Sequence, residues 1–329
     1  MEEIEKKIEV VLEMLQSEIA WAYQRHKSHT EEKSINSFVS RADALKNSKE
    51  LIIGLKELYG NSVVDINKCH YLYDSCSADE ASNNWGKGFT VTRTIPDNQE
   101  VDRNDISSKL KNNFFDLVIY GSITRCNANI EKVLQYVPKN KIALIDGEDH
   151  EQLYNDNPEE ILKYGVPIFK RELNNNDKRL FPISFAMPTV KVNFNKNKVK
   201  DTSSILLTDI SKDIPFAYPR FMSGPSTYQF DNETDYYNEY AASRFGFTAK
   251  KAGWDCMRHY EIMGNGCIPF FEEMPFCPER TLTDLPKDLI VDMIKEMYYN
   301  NQLAPFSEHY ERYIDRFEKH FFENNTTKA

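Results

Sequence analysis

The chain has 329 residues, of which 40 % are hydrophobic and 28 % are charged, and its formal net charge is −10 at pH 7. A chain of this length buries a substantial core and suits two domains better than one. The acidic balance argues against nucleic acid as a partner, because neutralising phosphates requires clustered Lys and Arg. No apolar run approaches the roughly 20 residues that span a bilayer, and the acidic, amphipathic start MEEIEKKIEVVLEML has neither the basic start nor the apolar block of a signal peptide. We therefore expect a cytoplasmic protein without a transmembrane segment.

The cysteines show no metal-binding or disulfide pattern. None forms a C-x-x-C pair, and no Cys/His group has the spacing of a zinc finger. We expect reduced and mostly buried thiols at all six positions, which are Cys69, Cys76, Cys126, Cys256, Cys267 and Cys277.

Residues 1–36 form a separate N-terminal segment, made of an amphipathic helix and a polar loop. Apolar residues recur with alternating spacings of four and three from Ile4 to Leu15, which predicts a helix over residues 2–25. Its apolar stripe either docks on the body of the protein or pairs two subunits into a homodimer. Residues 27–37 are polar and are predicted to be a loop.

Residues 37–175 are predicted to form a first Rossmann-like domain. Strands and helices alternate here at the spacing of a parallel α/β sheet. The predicted strands are SVVDI (62–66), NFFDLVIYGS (113–122), KIALIDGED (141–149) and VPIFKREL (166–173). The predicted helices cover residues 41–59, 129–137 and 158–165.

Residues 176–329 are predicted to form a second Rossmann-like domain, and the Asn-rich segment 171–203 is the best candidate for the linker. SILLTDI (204–210) is predicted to start this domain. Further strands are predicted over 245–251 and 267–271, and helices over 254–263, 286–300 and 307–322. The fold class is therefore α/β, with two Rossmann-like domains facing a cleft. Ligands of such sheets bind beyond the carboxyl ends of the strands.

The stretch from Ser243 to Pro278 carries the strongest functional signal. A strand ends at Lys250-Lys251, Gly253 permits a turn, and a helix follows on which Arg258 and Glu261 share one face. A helix N-terminus with nearby cations suits the phosphates of a nucleotide, and a carboxylate can accept both ribose hydroxyls. The alternative is a surface Arg–Glu pair on an ordinary helix.

The residues of this stretch point further than their spacing. Ser243-Arg244-Phe245, Arg258, Glu261 and Gly266-Cys267-Ile268-Pro269 together resemble the C-terminal donor-binding domain of GT-B glycosyltransferases, most closely the exostosin-like group. LVIYGS and LIDGED look like parts of the N-terminal domain of related transferases.

This resemblance implies a transferase of glycan biosynthesis, which moves a sugar from a nucleotide-sugar donor to a hydroxyl group of a carbohydrate or glycoconjugate acceptor. It implies that Glu261 binds the donor ribose and that cations, rather than an obligatory metal or other cofactor, offset the phosphate charge. The residues implied in donor binding are Arg244, Lys250, Lys251, Gly253, Arg258, Glu261 and Gly266.

One departure from the family concerns the mechanism. Many retaining GT-B enzymes have a second Glu eight positions before the ribose-binding one, and Gly253 stands there in this chain. The E-x7-E arrangement is absent, which argues against the mechanism of that group and directs attention to inversion.

An inverting transfer requires a base for the acceptor hydroxyl. The turn after the strand 141–149 offers carboxylates and a histidine, of which Asp149 is the first candidate, His150 the second and Asp146 the third. The alternative is a solvated acidic turn that Asp146 caps.

Several other polar residues are candidates for substrate contacts. Gly86-Lys87-Gly88 is either a loop that approaches substrate or a hairpin turn, and it does not match the P-loop pattern. Lys170 and Arg171 either bind phosphate or are simply a pair of surface residues, and Arg125 has the same two alternatives.

Two other functions are compatible with the sequence. One is another nucleotide-sugar enzyme of GT-B shape, such as an epimerase. The other is a non-catalytic nucleotide-binding scaffold that oligomerises through residues 2–25.

Overall fold

A computed structural model gives the structure of the chain for residues 49–66, 68–97, 101–125, 127, 130–154, 157–174, 177–205, 229–250, 252–297 and 304–327. The helix predicted over 2–25, the loop over 27–37 and the start of the helix predicted over 41–59 lie outside these residues. Lys251, which the family resemblance places near the phosphates, lies outside them as well.

Helices and parallel strands alternate along most of the described chain. The helices are α1 Lys49–Tyr59, α2 Ala78–Ser82, α3 Ile106–Lys111, α4 Ile130–Tyr136, α5 Glu159–Leu162, α6 Glu233–Ala242, α7 Met257–Gly264, α8 Lys287–Lys295 and α9 Phe306–Asn324. The strands are β1 Val118–Tyr120, β2 Ile142–Asp146, β3 Ile168–Lys170, β4 Leu180–Pro182, β5 Lys200–Thr202, β6 Ser243–Phe247 and β7 Ile268–Phe270.

The chain divides into two compact units, and both are discontinuous in sequence. The first unit comprises Met1–Cys76 and Arg93–Ile183, and the second comprises Ser77–Thr92 and Ser184–Ala329. The boundary after Ile183 falls inside the segment 171–203. The sequence gives no sign that the stretch Ser77–Thr92 belongs with the second unit.

The first unit contains a four-stranded parallel sheet in which β1, β2, β3 and β4 are neighbours in chain order. All residues of β1, β2 and β3 are buried, as expected for a parallel sheet that is covered on both faces. Side chains alternate between two apolar clusters. Val118 and Leu144 belong to the larger cluster, whereas Ile119 and Ile145 belong to the smaller one. The larger cluster also takes up the apolar faces of α3 and α4.

The strand predicted over residues 62–66 does not form, and that prediction was wrong. Residues Gly60–Ser62 make a 3-10 turn, and irregular backbone follows. Side chains take the carbonyl groups that a strand would offer to a neighbour. Lys56 Nζ donates to Val63 O at 2.6 Å, and Arg103 Nε donates to Asp65 O at 2.9 Å. The valines are buried all the same, so their apolar character reflects the core rather than a sheet.

The second unit contains a three-stranded parallel sheet in the order β5, β6, β7. Among the described residues its first strand is β5, Lys200–Thr202, and most of the stretch SILLTDI that was predicted to start this domain lies outside them. Helix α6 runs directly into β6. Asn232 caps the start of α6 by accepting a hydrogen bond from Asp235 N at 2.9 Å, which fixes where the helix begins.

The core of the second unit is rich in aromatic residues. Phe245 and Phe247 of β6 pack with Tyr260 of α7 and with the apolar stripes of α8 and α9. The stripe of α9 is formed by Tyr310, Ile314, Phe317 and Phe321, which confirms the predicted closing helix. Most rings therefore fill the core, as the composition indicates.

These features confirm an α/β fold with parallel sheets, which is compatible with Rossmann-like folds. Among the described residues, no helix combines the length and hydrophobicity needed to cross a bilayer.

Lys198 holds together the point where α6 meets β6. Its half-buried ammonium donates to Ala241 O at 2.9 Å, to Asn265 O at 2.9 Å and to Tyr240 O at 3.4 Å. Two of these carbonyls belong to the last turn of α6, where no intrahelical partner remains. One side chain therefore satisfies the end of a helix and the turn after α7.

We predict that Lys198→Met lowers the free energy of unfolding by about 2–3 kcal/mol, because three carbonyl groups lose a charged donor. Lys196→Met is the matched control, since Lys196 pairs with Asp315 and Glu318 on the surface. Exposed pairs of this kind contribute about 0–1 kcal/mol. Urea unfolding of both variants measures the difference, and equal losses would contradict the role given to Lys198.

Candidate functional site

Helix α7 follows the carboxyl end of β6, which is where ligands of parallel sheets bind. No side chain caps its start at Cys256. The first amide groups of a helix lack intrahelical partners and favour negative charge. The start of α7 therefore meets the basic requirement of an anion site.

Glu261 lies one turn into α7 and is buried, with 6 % of its surface exposed. Thr90 Oγ1 donates a hydrogen bond to Oε1, and Tyr236 OH donates one to Oε2 at 2.6 Å. Burial raises the pKa of the Glu261 carboxyl above its usual value, and the two hydroxyl donors limit that rise. Glu261 is thus a carboxylate with neutral donors rather than half of a surface ion pair.

A group of hydroxyls surrounds this carboxylate. Tyr237 OH lies 2.7 Å from Thr90 Oγ1, and the Thr90 amide donates to Glu233. Burial raises the pKa of Tyr236 and of Tyr237 well above the usual value, so both phenols remain protonated donors. The environment of Glu261 is therefore chemically similar to a set of sugar hydroxyls.

Arg258 lies on the first turn of α7 and differs from Glu261 in its hydrogen bonding. Its Nε is buried without a hydrogen-bond partner, and no hydrogen bond or ion pair of its guanidinium is found in the described part of the chain. It lies close enough to Tyr236, Tyr240 and Glu261 to interact electrostatically with all three. The Tyr240 hydroxyl is likewise buried without a hydrogen-bond partner among the described residues. Buried groups of this kind are normally satisfied, so the pair is a candidate for ligand contacts.

The turn before α7 carries two of the predicted donor residues. The Lys250 amide donates to Glu273 Oε2 at 2.9 Å, and its Nζ lies 5.0 Å from the centre of the Trp254 ring. Gly253 is buried in the bend that follows. This turn leads from the end of β6 to the start of α7, so Lys250 and Gly253 precede Arg258 by less than ten residues.

Sequence reasoning missed the histidine that fixes this turn. His259 is fully buried and stacks on Phe271 at 4.9 Å between ring centres. Its Nδ1 lies 2.9 Å from Thr248 Oγ1, and its Nε2 lies 2.8 Å from Trp254 O. The ring therefore ties the end of β6 to the bend and positions the start of α7.

Arg244 and Gly266 do not join this group. Arg244 lies near the start of β6, the opposite end of the strand from α7, and pairs with Asp201 of β5 at 3.0 Å. Gly266 has φ +70°, and a Cβ there would lie 2.4 Å from Asn195 O. Backbone packing accounts for this glycine without any ligand.

The segment with Gly86, Lys87 and Gly88 does reach the site, through the residue that follows it. Residues Trp85–Gly88 form a turn in which Gly86, Lys87 and Gly88 all have positive φ. Lys87 pairs with the exposed Asp231 at 2.6 Å. Thr90, which lies two residues after Gly88, contacts Glu261. Sequence patterns give no signal for this contact, because 171 residues separate its partners.

In the first unit, Asp146 and Lys170 form a buried charged pair at the carboxyl ends of β2 and β3. Both are fully buried, and Lys170 Nζ lies 3.6 Å from Asp146 Oδ2. Asp146 accepts hydrogen bonds from the amides of Glu148 and Tyr154, both at 3.1 Å. This is the capping arrangement that stood as the alternative to a catalytic Asp146.

The other polar residues of this turn are tied to one another. Arg171 is buried, and it donates to Gly147 O at 3.0 Å and pairs with Asp149. Arg125 makes a two-point contact with Glu148, with one bond of 2.7 Å. Lys170 and Arg171 are therefore core residues and not a surface pair. Asp149 and His150 remain exposed, with half of the Asp149 side chain open to solvent.

Comparison of the chain with protein-family models, with curated proteins and with solved structures gives no match. The function must therefore be argued from the residues and their geometry.

We predict that Gly266→Ala lowers the free energy of unfolding by about 3 kcal/mol, since it combines an unfavourable backbone conformation with a clash against backbone. Gly86→Ala is the matched control. Gly86 has φ +69°, but nothing lies within 4 Å of the added Cβ, so only the backbone cost of about 1 kcal/mol applies. Chemical unfolding compares the two variants. Losses of equal size would mean that Asn195 moves aside at little cost in free energy, and they would contradict the prediction.

Proposed function

We propose that this chain is a glycosyltransferase that moves a sugar from a nucleotide-sugar donor to a hydroxyl acceptor. The observation that carries the proposal is the presence, on one short helix, of a buried carboxylate held by hydroxyl groups and of an arginine whose buried Nε has no hydrogen-bond partner among the described residues. We assign the two α/β units to the two Rossmann-like domains of a GT-B enzyme, with the donor nucleotide bound by the second.

Glu261 is the proposed ligand of the ribose. A carboxylate accepts two hydroxyl hydrogen bonds at once, and hydrogen bonds to a charged acceptor are the stronger kind. Thr90 and Tyr236 already supply hydroxyl donors to this carboxylate. Its chemistry therefore suits a vicinal diol, and Glu261 acts in binding rather than in the chemical step.

Arg258, Lys250 and the uncapped start of α7 are the proposed ligands of the diphosphate. The guanidinium presents several donors in one plane and suits phosphate oxygens. Negative charge increases on the diphosphate as the bond to the sugar breaks. Fixed cations therefore stabilise the transition state more than the ground state, and they contribute to rate as well as to affinity.

Asp149 is the proposed base, with His150 as the second candidate. The base takes the proton of the acceptor hydroxyl while the oxygen attacks the anomeric carbon and the nucleoside diphosphate leaves. Asp146 is unsuited to this role, because its carboxylate is fully buried and bonded to two amides. A base outside the donor helix agrees with Gly253 at the position of the second Glu and with an inverting transfer.

We predict that Glu261→Gln weakens nucleotide binding by about tenfold or more, since a neutral amide accepts hydroxyl hydrogen bonds less strongly and presents one acceptor oxygen instead of two. Calorimetry with UDP, GDP and CMP measures the effect. Glu239→Gln is the matched control, because Glu239 lies on α6 and pairs with Lys200 of the same unit. Equal affinity of Glu261→Gln and the parent chain would remove the proposed site.

We predict that Asp149→Asn lowers the turnover of the nucleotide sugar by about 10²–10⁴-fold while leaving nucleotide affinity unchanged, because the base acts only in the chemical step. Release of nucleoside diphosphate in the presence of a carbohydrate acceptor measures it, and melting temperature monitors the lost Arg171 contact. His150→Gln is the companion variant. If only His150→Gln loses turnover, the base is His150, and if neither does, the base lies elsewhere.

Incubating the donor sugar nucleotide without acceptor separates transfer from epimerisation. An epimerase yields a new sugar from the donor alone, whereas a transferase yields at most slow hydrolysis. A chain that binds nucleotide and turns over no donor would be the non-catalytic scaffold.

A further inference from the structure

The segment 86–90, here called the strap, belongs to the second unit although it lies far from it in sequence. Its end covers the carboxylate that we assign to the donor ribose. Thr90 is fully buried, and its hydroxyl and amide contact Glu261, Tyr237 and Glu233. The strap is therefore a part of the chain that occupies a proposed ligand position.

The backbone of the strap is strained. Thr90 has φ +74° and Lys87 has φ +56°, and a β-branched residue such as Thr is especially unfavourable in this region. Such conformations persist only where surrounding contacts hold them, and they concentrate at functional sites. Thr90 itself makes polar contacts to Glu261, Tyr237 and Glu233, which can be exchanged for those of a ligand, while the neighbouring Phe89 packs against the ring of Tyr236.

Gly88, in the middle of the strap, is fixed by close packing. A Cβ on Gly88 would lie 2.4 Å from Ala81 O, and Thr92 Oγ1 donates to Gly88 O at 2.6 Å. Gly86, the first residue of the strap, has nothing within 4 Å of its Cβ position, and Lys87 is held by an exposed ion pair. The strap thus combines an anchored turn with contacts that a solvent molecule or a ligand can replace.

The contact between Thr90 and Glu261 has the chemistry of the contact proposed for the donor. In both, an aliphatic hydroxyl donates to the same carboxylate. Glu261 is 6 % exposed with Thr90 in place, which leaves no room for a ribose to reach its oxygens. A ribose and the Thr90 hydroxyl therefore compete for Glu261.

We propose that Thr90 acts as an internal substitute for a ribose hydroxyl, so that the strap closes the nucleotide site and the donor must displace it. This inference rests on the proposed function. The strap satisfies Glu261 while the site is empty, and nucleotide binding exchanges one hydroxyl donor for another. Apparent affinity is then reduced by the fraction of molecules in which the strap is closed.

Thr90→Val tests this inference, since Val keeps the shape and the β-branch and removes only the hydroxyl. We expect it to bind UDP, GDP or CMP roughly tenfold tighter than the parent chain, because the closed strap loses a hydrogen bond to a charged group. Thr90→Ser keeps the hydroxyl and is expected to bind no tighter than the parent chain. Thr281→Val is the matched control, because the buried Thr281 hydroxyl has no hydrogen-bond partner among the described residues.

Amide hydrogen exchange provides a second measurement that requires no variant. The amide of Thr90 donates to Glu233 in the closed strap, so nucleotide is expected to accelerate its exchange. Slower exchange with nucleotide, or unchanged binding by Thr90→Val, would overturn the inference. Weaker binding by Thr90→Val would overturn it as well and would make Thr90 a residue that positions Glu261.

The two proposals fail in different ways. Binding that depends on Glu261 but not on Thr90 retains the nucleotide site and removes the strap. Nucleotide binding that is the same in the parent chain, Glu261→Gln and Thr90→Val removes the site, and the strap inference with it.

Discussion

A carboxylate buried at Glu261 is the constraint on which the second unit depends. Taking a charge out of water is costly unless hydrogen-bond donors replace the water, and here neutral hydroxyls supply the hydrogen bonds while Arg258 contributes electrostatically. Meeting this requirement brings together α6, α7 and the segment Ser77–Thr92, which are distant in sequence. The tyrosines at positions 236 and 237 of α6 are thereby explained as donors as well as core residues.

The first unit also buries a carboxylate, but there a cation lies beside it. Asp146 and Lys170 are both fully buried at the ends of neighbouring strands, and two backbone amides donate hydrogen bonds to the carboxylate of Asp146. Burial lowers the pKa of Lys170, which the neighbouring carboxylate opposes. Removing one partner of such a pair leaves an uncompensated charge, so it fixes the shape of the turn rather than offering a vacant site. The solvent-exposed groups of this turn are Asp149 and His150.

The sequence was sufficient for the elements that periodicity specifies. The continuous apolar runs around Val118 and Leu144 are strands, and the helix from Phe306 follows its apolar stripe. It was insufficient where side chains replace the backbone as hydrogen-bond partners, as at Val63 and Asp65, where Lys56 and Arg103 take the carbonyls. The sequence pattern shows which residues are apolar, but it does not show which side chain will donate a hydrogen bond to a given carbonyl group.

The candidate site likewise contains residues that local spacing predicted and residues that it did not. Arg258, Glu261 and Lys250 lie within one strand–turn–helix unit, so their proximity follows from local spacing and was predicted. His259 was overlooked because a histidine among aromatic residues has no distinctive pattern, although its two ring nitrogens hold the turn. Thr90 could not be predicted, since it reaches Glu261 only through the tertiary fold, and the nearby Gly86-Lys87-Gly88 indicated no more than a turn or a loop.

The two charged groups of α7 differ in what the rest of the chain does for them, and this difference bears on function. Glu261 has its hydrogen bonds supplied from within the chain, whereas the buried Nε of Arg258 has none among the described residues. A structural role would favour pairing the two, because they lie three apart on one helix and have opposite charge. The chain instead gives the carboxylate hydroxyl partners, and Arg258 interacts with Glu261 only electrostatically, with no hydrogen bond between the two among the described residues. Under the proposed function, the phosphates of the donor are the anionic partner of the buried Nε.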